Sequence, residues 1–250
     1  MKRILAGCIG MLLAVTVFGQ VSVKDSAVFA PMVRLSYGLQ VPYGDLQDRF
    51  GLSSTLGGSF IIKNKHNILY GVDGNFLFGN DVKETEILDG LKDRQGNITN
   101  EVGEITEFIL LERGLLITGK VGILIPVIGP NPNSGLLLLG GVGLLQHKIR
   151  IEVQNNTAPQ IRDDYKKGYD RLTNGLALTQ FIGYQHLGNG RLVNFFGGVE
   201  LIQGFTKNRR SYNFDTQEKD DKARTDLTVG FRVGWMLPLY KRVPREFYFE

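Results

Sequence analysis

From Leu227 to Leu239 the chain alternates without a break. The odd positions are Leu227, Val229, Phe231, Val233, Trp235, Leu237 and Leu239, and the even ones Thr228, Gly230, Arg232, Gly234, Met236 and Pro238. A period of two predicts a strand with one apolar face and one small or polar face. The same alternation recurs upstream. Phe29, Pro31, Val33, Leu35, Tyr37 and Leu39 oppose Ala30, Met32, Arg34, Ser36 and Gly38; Leu56, Phe60 and Ile62 oppose Thr55, Gly57 and Ser59. Ile68, Tyr70, Val72, Phe76 and Phe78 oppose Gly71, Asp73, Asn75 and Gly79; Leu115, Ile117, Val121, Ile123 and Ile125 oppose Thr118, Lys120 and Gly122. Val193, Phe195, Val199 and Leu201 oppose Asn194, Gly198 and Glu200. Noisier segments near 135–150 and 173–186 bring the set to eight. Within the first of them, Leu136 to Leu139 is a solid apolar block that periodicity cannot orient.

The links carry a second pattern. Short ones, near Asn64 to Asn67, Gly129 to Gly135 and Leu187 to Arg191, alternate strictly with longer polar ones at 40–51, 79–112, 152–172 and 206–224. An up-and-down barrel with both chain ends on one side places every long link on the other. The pattern therefore predicts an all-β fold: a closed, antiparallel, up-and-down transmembrane β-barrel of eight strands.

Periodicity alone leaves open whether the apolar face points inward, as in a soluble lipocalin-like barrel, or outward to lipid. Three features favour lipid. The polar face is rich in glycine with about one charge per strand, which suits a cramped interior. The strands are long enough for the ~9–11 residues that cross a bilayer at a tilt. Aromatic residues gather near strand ends, with Tyr70, Phe78, Trp235 and Tyr240 as candidate membrane-interface positions. Thr228-x-Gly230-x-x-Val233-x-Trp235 also resembles the loose signal read by barrel assembly machinery during insertion.

The amino-terminal segment changes the compartment. Met1-Lys2-Arg3 precedes an apolar run from Ile4 to Phe18, and Val17 and Gly19 are the small residues of a signal-peptidase site. We therefore expect a signal peptide at 1–19, a barrel at 20–240 and a periplasmic tail at 241–250, in a protein of the bacterial outer membrane. Leu5-Ala6-Gly7-Cys8 has lipoprotein-box residues, but the hydrophobic run lies mostly after Cys8 rather than before it. Cys8 is the only cysteine, so the processed chain would have neither disulfide nor thiol chemistry. Glycine, at 32 of 250 residues, is well above the ~7% of average proteins. The formal charge of +4 falls to +2 once Lys2 and Arg3 are removed, too small a surplus to argue for nucleic acid.

The leader ending before Gln20, the eight alternating segments and the aromatic end Phe247-Tyr248-Phe249 resemble Bacteroidota outer-membrane β-barrel proteins, including the PorT-like barrels of type IX secretion. The resemblance lies in pattern over nearly the whole processed chain. It implies an integral barrel and supplies no catalytic residues.

Five charges fall on the small, polar face: Arg34, Asp73, Lys120, Glu200 and Arg232. An eight-stranded barrel has an interior just wide enough for side chains, so these charges should pair. Glu200 and Arg232, and Asp73 and Lys120, stand on neighbouring strands, which predicts a charge network that plugs the interior. The alternative is a gate, making the barrel a narrow pore or small-solute transporter. A third reading is a lipid-modifying enzyme on the outer rim, with His147 toward the external end of its strand. His66, His147 and His186 show no ligand spacing, so neither a metal nor another cofactor is expected. The expected function is a structural, envelope-assembly or secretion-associated one. Its partners would be outer-membrane lipid and an envelope or secretion-complex protein met through the acidic 79–112 loop or the 241–250 tail. Val82 to Asp93 in that loop reads as a short amphipathic turn in an otherwise solvated segment.

Overall fold

The computed structural model describes residues 26–153, 158–188 and 193–239. The expected signal peptide, the tail and Tyr240 lie outside the described residues. Ten strands follow in chain order: β1 (Ala30–Gly44), β2 (Ser53–Lys63), β3 (Ile68–Gly79), β4 (Ile98–Thr99), β5 (Ile105–Thr106), β6 (Phe108–Ile125), β7 (Gly135–Val153), β8 (Thr173–Leu187), β9 (Asn194–Asn208) and β10 (Ala223–Pro238). Eight of them close into one antiparallel barrel in the order β1-β10-β9-β8-β7-β6-β3-β2, while β4 and β5 form a separate hairpin.

Following the register from Arg34 through Ser59, Asp73, Thr118, Gly143, Ala177, Gly204 and Asp226 returns to β1 at Gly44, ten residues beyond the start. A stagger of that size goes with strands tilted by roughly 35–45° and a bore that side chains can fill.

The faces fall as the alternation predicts. On β1, Val33, Leu35, Tyr37, Leu39, Val41 and Tyr43 are exposed, while Met32, Arg34, Ser36 and Gln40 are buried. On β10, Val229, Phe231, Val233 and Trp235 face out, and Asp226, Thr228, Arg232 and Met236 face in. Large apolar side chains thus sit outside and charges inside, the reverse of a water-soluble core.

The interior is layered. At the short-turn end Met32, Ile61, Leu69, Leu124, Leu137, Leu139, Phe181, Phe196 and Met236 pack into an apolar floor. Above it lies the charged belt, and above that a smaller apolar group of Leu77, Leu116, Leu145, Ala177 and Ile202. The floor explains the unreadable block: Leu137 and Leu139 turn in to join it, while Leu136 and Leu138 turn out.

The long links are shorter than expected from sequence. β1 continues through Pro42 to Gly44, β6 begins at Phe108 and β10 at Ala223. Nor is the 79–112 segment a solvated loop. It holds a 3₁₀ turn at Thr85–Leu91 and the β4–β5 hairpin, and buries Ile87, Leu88 and Ile98 against Leu46, Phe50, Ile149, Ile151, Ile161 and Tyr169. These apolar side chains form a cap over the long-link end, held by the hydrophobic effect rather than by the hairpin's few backbone bonds.

Candidate functional site

Four of the five inward charges meet in one net. β3, β6, β9 and β10 direct Asp73, Lys120, Glu200 and Arg232 to the same level of the bore, because all four share the inward parity of their strands. Lys120 Nζ donates to Glu200 Oε1 at 2.6 Å and stands 3.1 Å from Asp73 Oδ2. Arg232 forks onto Asp73, with Nη1 to Oδ2 at 2.9 Å and Nη2 to Oδ1 at 2.8 Å, and also reaches Glu200 at 3.1 Å. Ser36 Oγ accepts from Arg232 Nε and Nη2, and Asn75 Nδ2 donates to Asp73. All four charged side chains are at most 5% exposed. Two cations and two carboxylates cancel, and each cation touches both anions, which is what makes four buried charges tolerable.

The net joins strands that are not neighbours. Lys120 on β6 and Glu200 on β9 are separated by β7 and β8, and Arg232 on β10 and Asp73 on β3 by β1 and β2. The expected neighbour pairs, Glu200–Arg232 and Asp73–Lys120, are present, but they form half of a ring.

Arg34 departs from the expectation that every inward charge finds an opposite one. Among the described residues it has no carboxylate within ion-pair distance. Its Nη2 donates to Gln185 Oε1 at 2.8 Å and its guanidinium lies 5.2 Å from the centre of the Phe196 ring. An amide and an aromatic face from the floor thus hold a fifth charge beside a net that is already neutral. The void between Arg34, Asp73, Lys120 and Arg232 is about 10 Å³, no more than a single water requires.

A second polar group lies higher in the bore, and of its members only His147 was considered from sequence. His147 Nε2 and Asp226 Oδ2 lie 2.9 Å apart, Thr206 Oγ1 donates to the same carboxylate at 2.5 Å, and Phe50 packs edge-on against the imidazole at 5.7 Å. His147, expected toward the external end of its strand, is 1% exposed and faces the bore. Asp226 could have been found by extending the β10 alternation one residue upstream, since it has the parity of Thr228 and Arg232. Among the described residues no cluster of three or more His, Cys, Asp or Glu could hold a metal.

The cap has its own electrostatics. Arg171 is bound by Glu84 at 3.2 Å and by both carboxylate oxygens of Asp215; Arg49 holds the other oxygen of Glu84 and the Thr173 hydroxyl. Partial burial pushes the Asp215 carboxyl up, but the bonds from Arg171 outweigh it and hold the group below the ordinary carboxylate range. A hydrogen bond from Lys222, helped by the Thr225 amide, holds Asp45 below that range too.

Of the candidate interface aromatics, Tyr70 and Trp235 face outward at the short-turn end, 45% and 37% exposed, in company with Phe195. Phe78 faces outward at the other end of β3, half-buried and stacked on Phe76 at 6.1 Å. Among the described residues no helix is long and apolar enough to cross a membrane.

These features define a class: a closed, eight-stranded antiparallel barrel with an apolar exterior and a filled, charge-bearing interior. Among solved structures it is similar to Ail, the attachment invasion locus protein of Yersinia pestis, at 10% identity and a TM-score of 0.41, over 84% of this chain and 99% of that one. It is also similar to the N-terminal β-barrel domain of Pseudomonas aeruginosa OprF (10% identity, TM-score 0.39, 84% and 99% covered) and to the P. aeruginosa outer membrane protein OprG (11%, 0.39, 87% and 99%). No protein-family model and no curated protein matches the chain, so the resemblance to Bacteroidota barrels remains one of pattern. Likeness at this level concerns architecture only, and the closed barrel stands on the chain's own strand pairing.

Proposed function

We propose that this chain is an integral protein of the bacterial outer membrane, processed from a precursor, with a non-conducting bore and a structural, envelope-assembly or secretion-associated role carried by its external cap. The observation that carries the reading is the inversion of the barrel. Leu35, Leu56, Val72, Ile117, Leu144, Ile182 and Phe231 are exposed around its outside, while Asp73, Lys120, Glu200 and Arg232 are buried at its centre. Such an exterior would aggregate in water, whereas hydrocarbon accepts it and the closed barrel has no free edge strand.

The filled bore favours the structural role over a pore. A solute would have to part the ionic net and then the apolar floor, each at high cost. The cap supplies a surface for protein contact. Ile105 and Tyr165, 64% and 63% exposed, stand on segments whose apolar undersides are anchored in the buried cluster.

Two measurements test the proposal. Reconstituted in planar bilayers, the protein is expected to add no single-channel conductance; discrete openings that respond to Glu200→Gln would replace the structural reading by a gated pore. Affinity purification from membranes is expected to recover a defined envelope complex that is lost when residues 84–106 are replaced by a short linker. Recovery of the same complex without that segment would remove the cap from the proposal.

A further inference from the structure

We propose that the outward face of β6 and β7, just beyond the apolar belt on the long-link side, binds the phosphorylated headgroup of a glycolipid in the surrounding outer leaflet. The inference rests on the outer-membrane reading above and adds a ligand class to it.

The register sets the chemistry out in rows. Phe76 pairs with Leu115 and Leu115 with Gln146; one step outward, Phe78 pairs with Arg113 and Arg113 with Lys148; further along, Leu111 pairs with Arg150. All these residues have outward parity with exposed Val142 and Leu144, so an apolar wall passes directly into a cationic edge. A groove of about 410 Å³ lies along this edge, lined by Phe76, Arg113, Lys148, Arg150, Lys166 and Asp170.

The cations there are incompletely neutralised. Arg113 donates Nη1 to the Glu112 carbonyl at 2.7 Å and has no carboxylate within ion-pair distance among the described residues. Lys148 stands 3.9 Å from Asp170, whose carboxylate is already held by Arg210. Arg150 pairs with Glu152 at 2.8 Å in an exposed contact of little strength. Lys207, outward at the same end of β9, is by contrast paired with Asp221 at 3.1 Å. At the same end of β1 and β10 the outward residues are Val41, Tyr43, Thr225 and Leu227, none of them charged.

Arginine and lysine at a lipid–water boundary select phosphate, arginine by its two-pronged donor geometry. Lys148 and Arg150 lie two positions apart on one strand, about 7 Å. With Arg113 opposite Lys148 they place three cations within one side-chain reach, which favours the higher charge of phosphomonoesters over a single phosphodiester. The apolar wall beneath takes acyl chains, and the groove leaves room for sugar rings between wall and cations. A free phosphate would find an open edge with no enclosing donors.

The test uses folded, processed protein in detergent micelles and in nanodiscs. Binding is measured for diphosphorylated lipid A, its dephosphorylated form, phosphatidylglycerol and inorganic phosphate. Wild type is expected to bind the diphosphorylated lipid about tenfold more tightly than the other three, and Arg113→Gln/Lys148→Gln/Arg150→Gln to lose that margin. Lys148→Gln alone, which leaves the fold least disturbed, is expected to lose part of the margin, and Lys65→Gln in the opposite short turn none of it. Equal binding by wild type and triple variant, or phosphatidylglycerol or inorganic phosphate bound as tightly as the diphosphorylated lipid, would overturn the proposal. Failure to insert into nanodiscs would instead overturn the outer-membrane reading; insertion without discrimination leaves that reading standing and removes only this one.

Discussion

Arg232 and Asp73 face each other across the bore from strands three places apart and are joined by two parallel hydrogen bonds of 2.9 and 2.8 Å. This fork, with Lys120 and Glu200 completing the ring, ties opposite walls of the barrel together. Backbone pairing alone links only neighbours.

Glu200→Ala removes the carboxylate that both cations share and leaves Arg232 and Lys120 to divide Asp73. We expect a loss of about 3–5 kcal/mol, the usual consequence of stranding a buried charge. Urea titration followed by heat-modifiable gel migration reads it directly. An unchanged midpoint would mean that the net has no part in holding the walls.

Gly57 and Gly58 are consecutive and face opposite ways, which makes them a matched pair. A methyl group on Gly57 would come within 2.0 Å of Asn75 Oδ1, 2.8 Å of Ser36 Oγ and 2.9 Å of Arg232 Nη2, whereas one on Gly58 would meet nothing within 4 Å. Gly57→Ala should cost about 1–3 kcal/mol by pushing the net apart, and Gly58→Ala should be neutral in the same titration. Equal effects would count against a tightly filled bore.

Much of this was legible in the chain, and the parts that were not have physical causes. Period two exposed every strand whose two faces differ, and parity alone selected Arg34, Asp73, Lys120, Glu200 and Arg232 as inward. Alternation fails where both faces are apolar, as at Leu136 to Leu139 against the floor. It also fails where turn-forming residues occur inside a strand, as at Pro42 and Gly44 in β1. Which charge meets which depends on the stagger, a property of the closed barrel that no single strand encodes. For that reason the ring, the Gln185 partner of Arg34 and the His147–Asp226 contact appear only in the folded molecule. The buried cap escaped notice because its apolar residues are scattered over three separate links.

Gln180 is exposed on the outward face at the middle of β8, between Leu201 on β9 and Gly140 on β7. Among the described residues no hydrogen bond holds its side-chain amide. Gln180→Leu should therefore stabilise the barrel by about 1–3 kcal/mol in bilayers, the cost of an unpaired amide in an apolar medium. A urea midpoint that falls would show that the amide has a partner in the membrane.

The cap should respond to acid. Asp215 is held below its ordinary value by Arg171, so its contribution is fully present above about pH 4 and is lost as pH falls through the depressed value. The guanidinium stays charged throughout, so only the carboxylate changes. Protease cleavage within 209–222 is expected to stay slow from pH 7 to pH 5 and to quicken in more acidic buffer, with Asp215→Asn cleaved quickly at every pH. A pH-independent rate in the wild type would separate this pair from the ordering of the cap.

The pairing of β1 with β10, from Met32–Pro238 to Gly44–Asp226, ties the earliest barrel strand to the latest. Until β10 is in place, the sheet remains an open ribbon with two unsatisfied borders. Closure therefore waits for the last strand, and under the export proposed above the half-made ribbon is the form most in need of a chaperone. Deleting β10 would leave β1 and β9 both unzipped, and the expected product is an aggregate cleared by proteases rather than a smaller seven-stranded barrel.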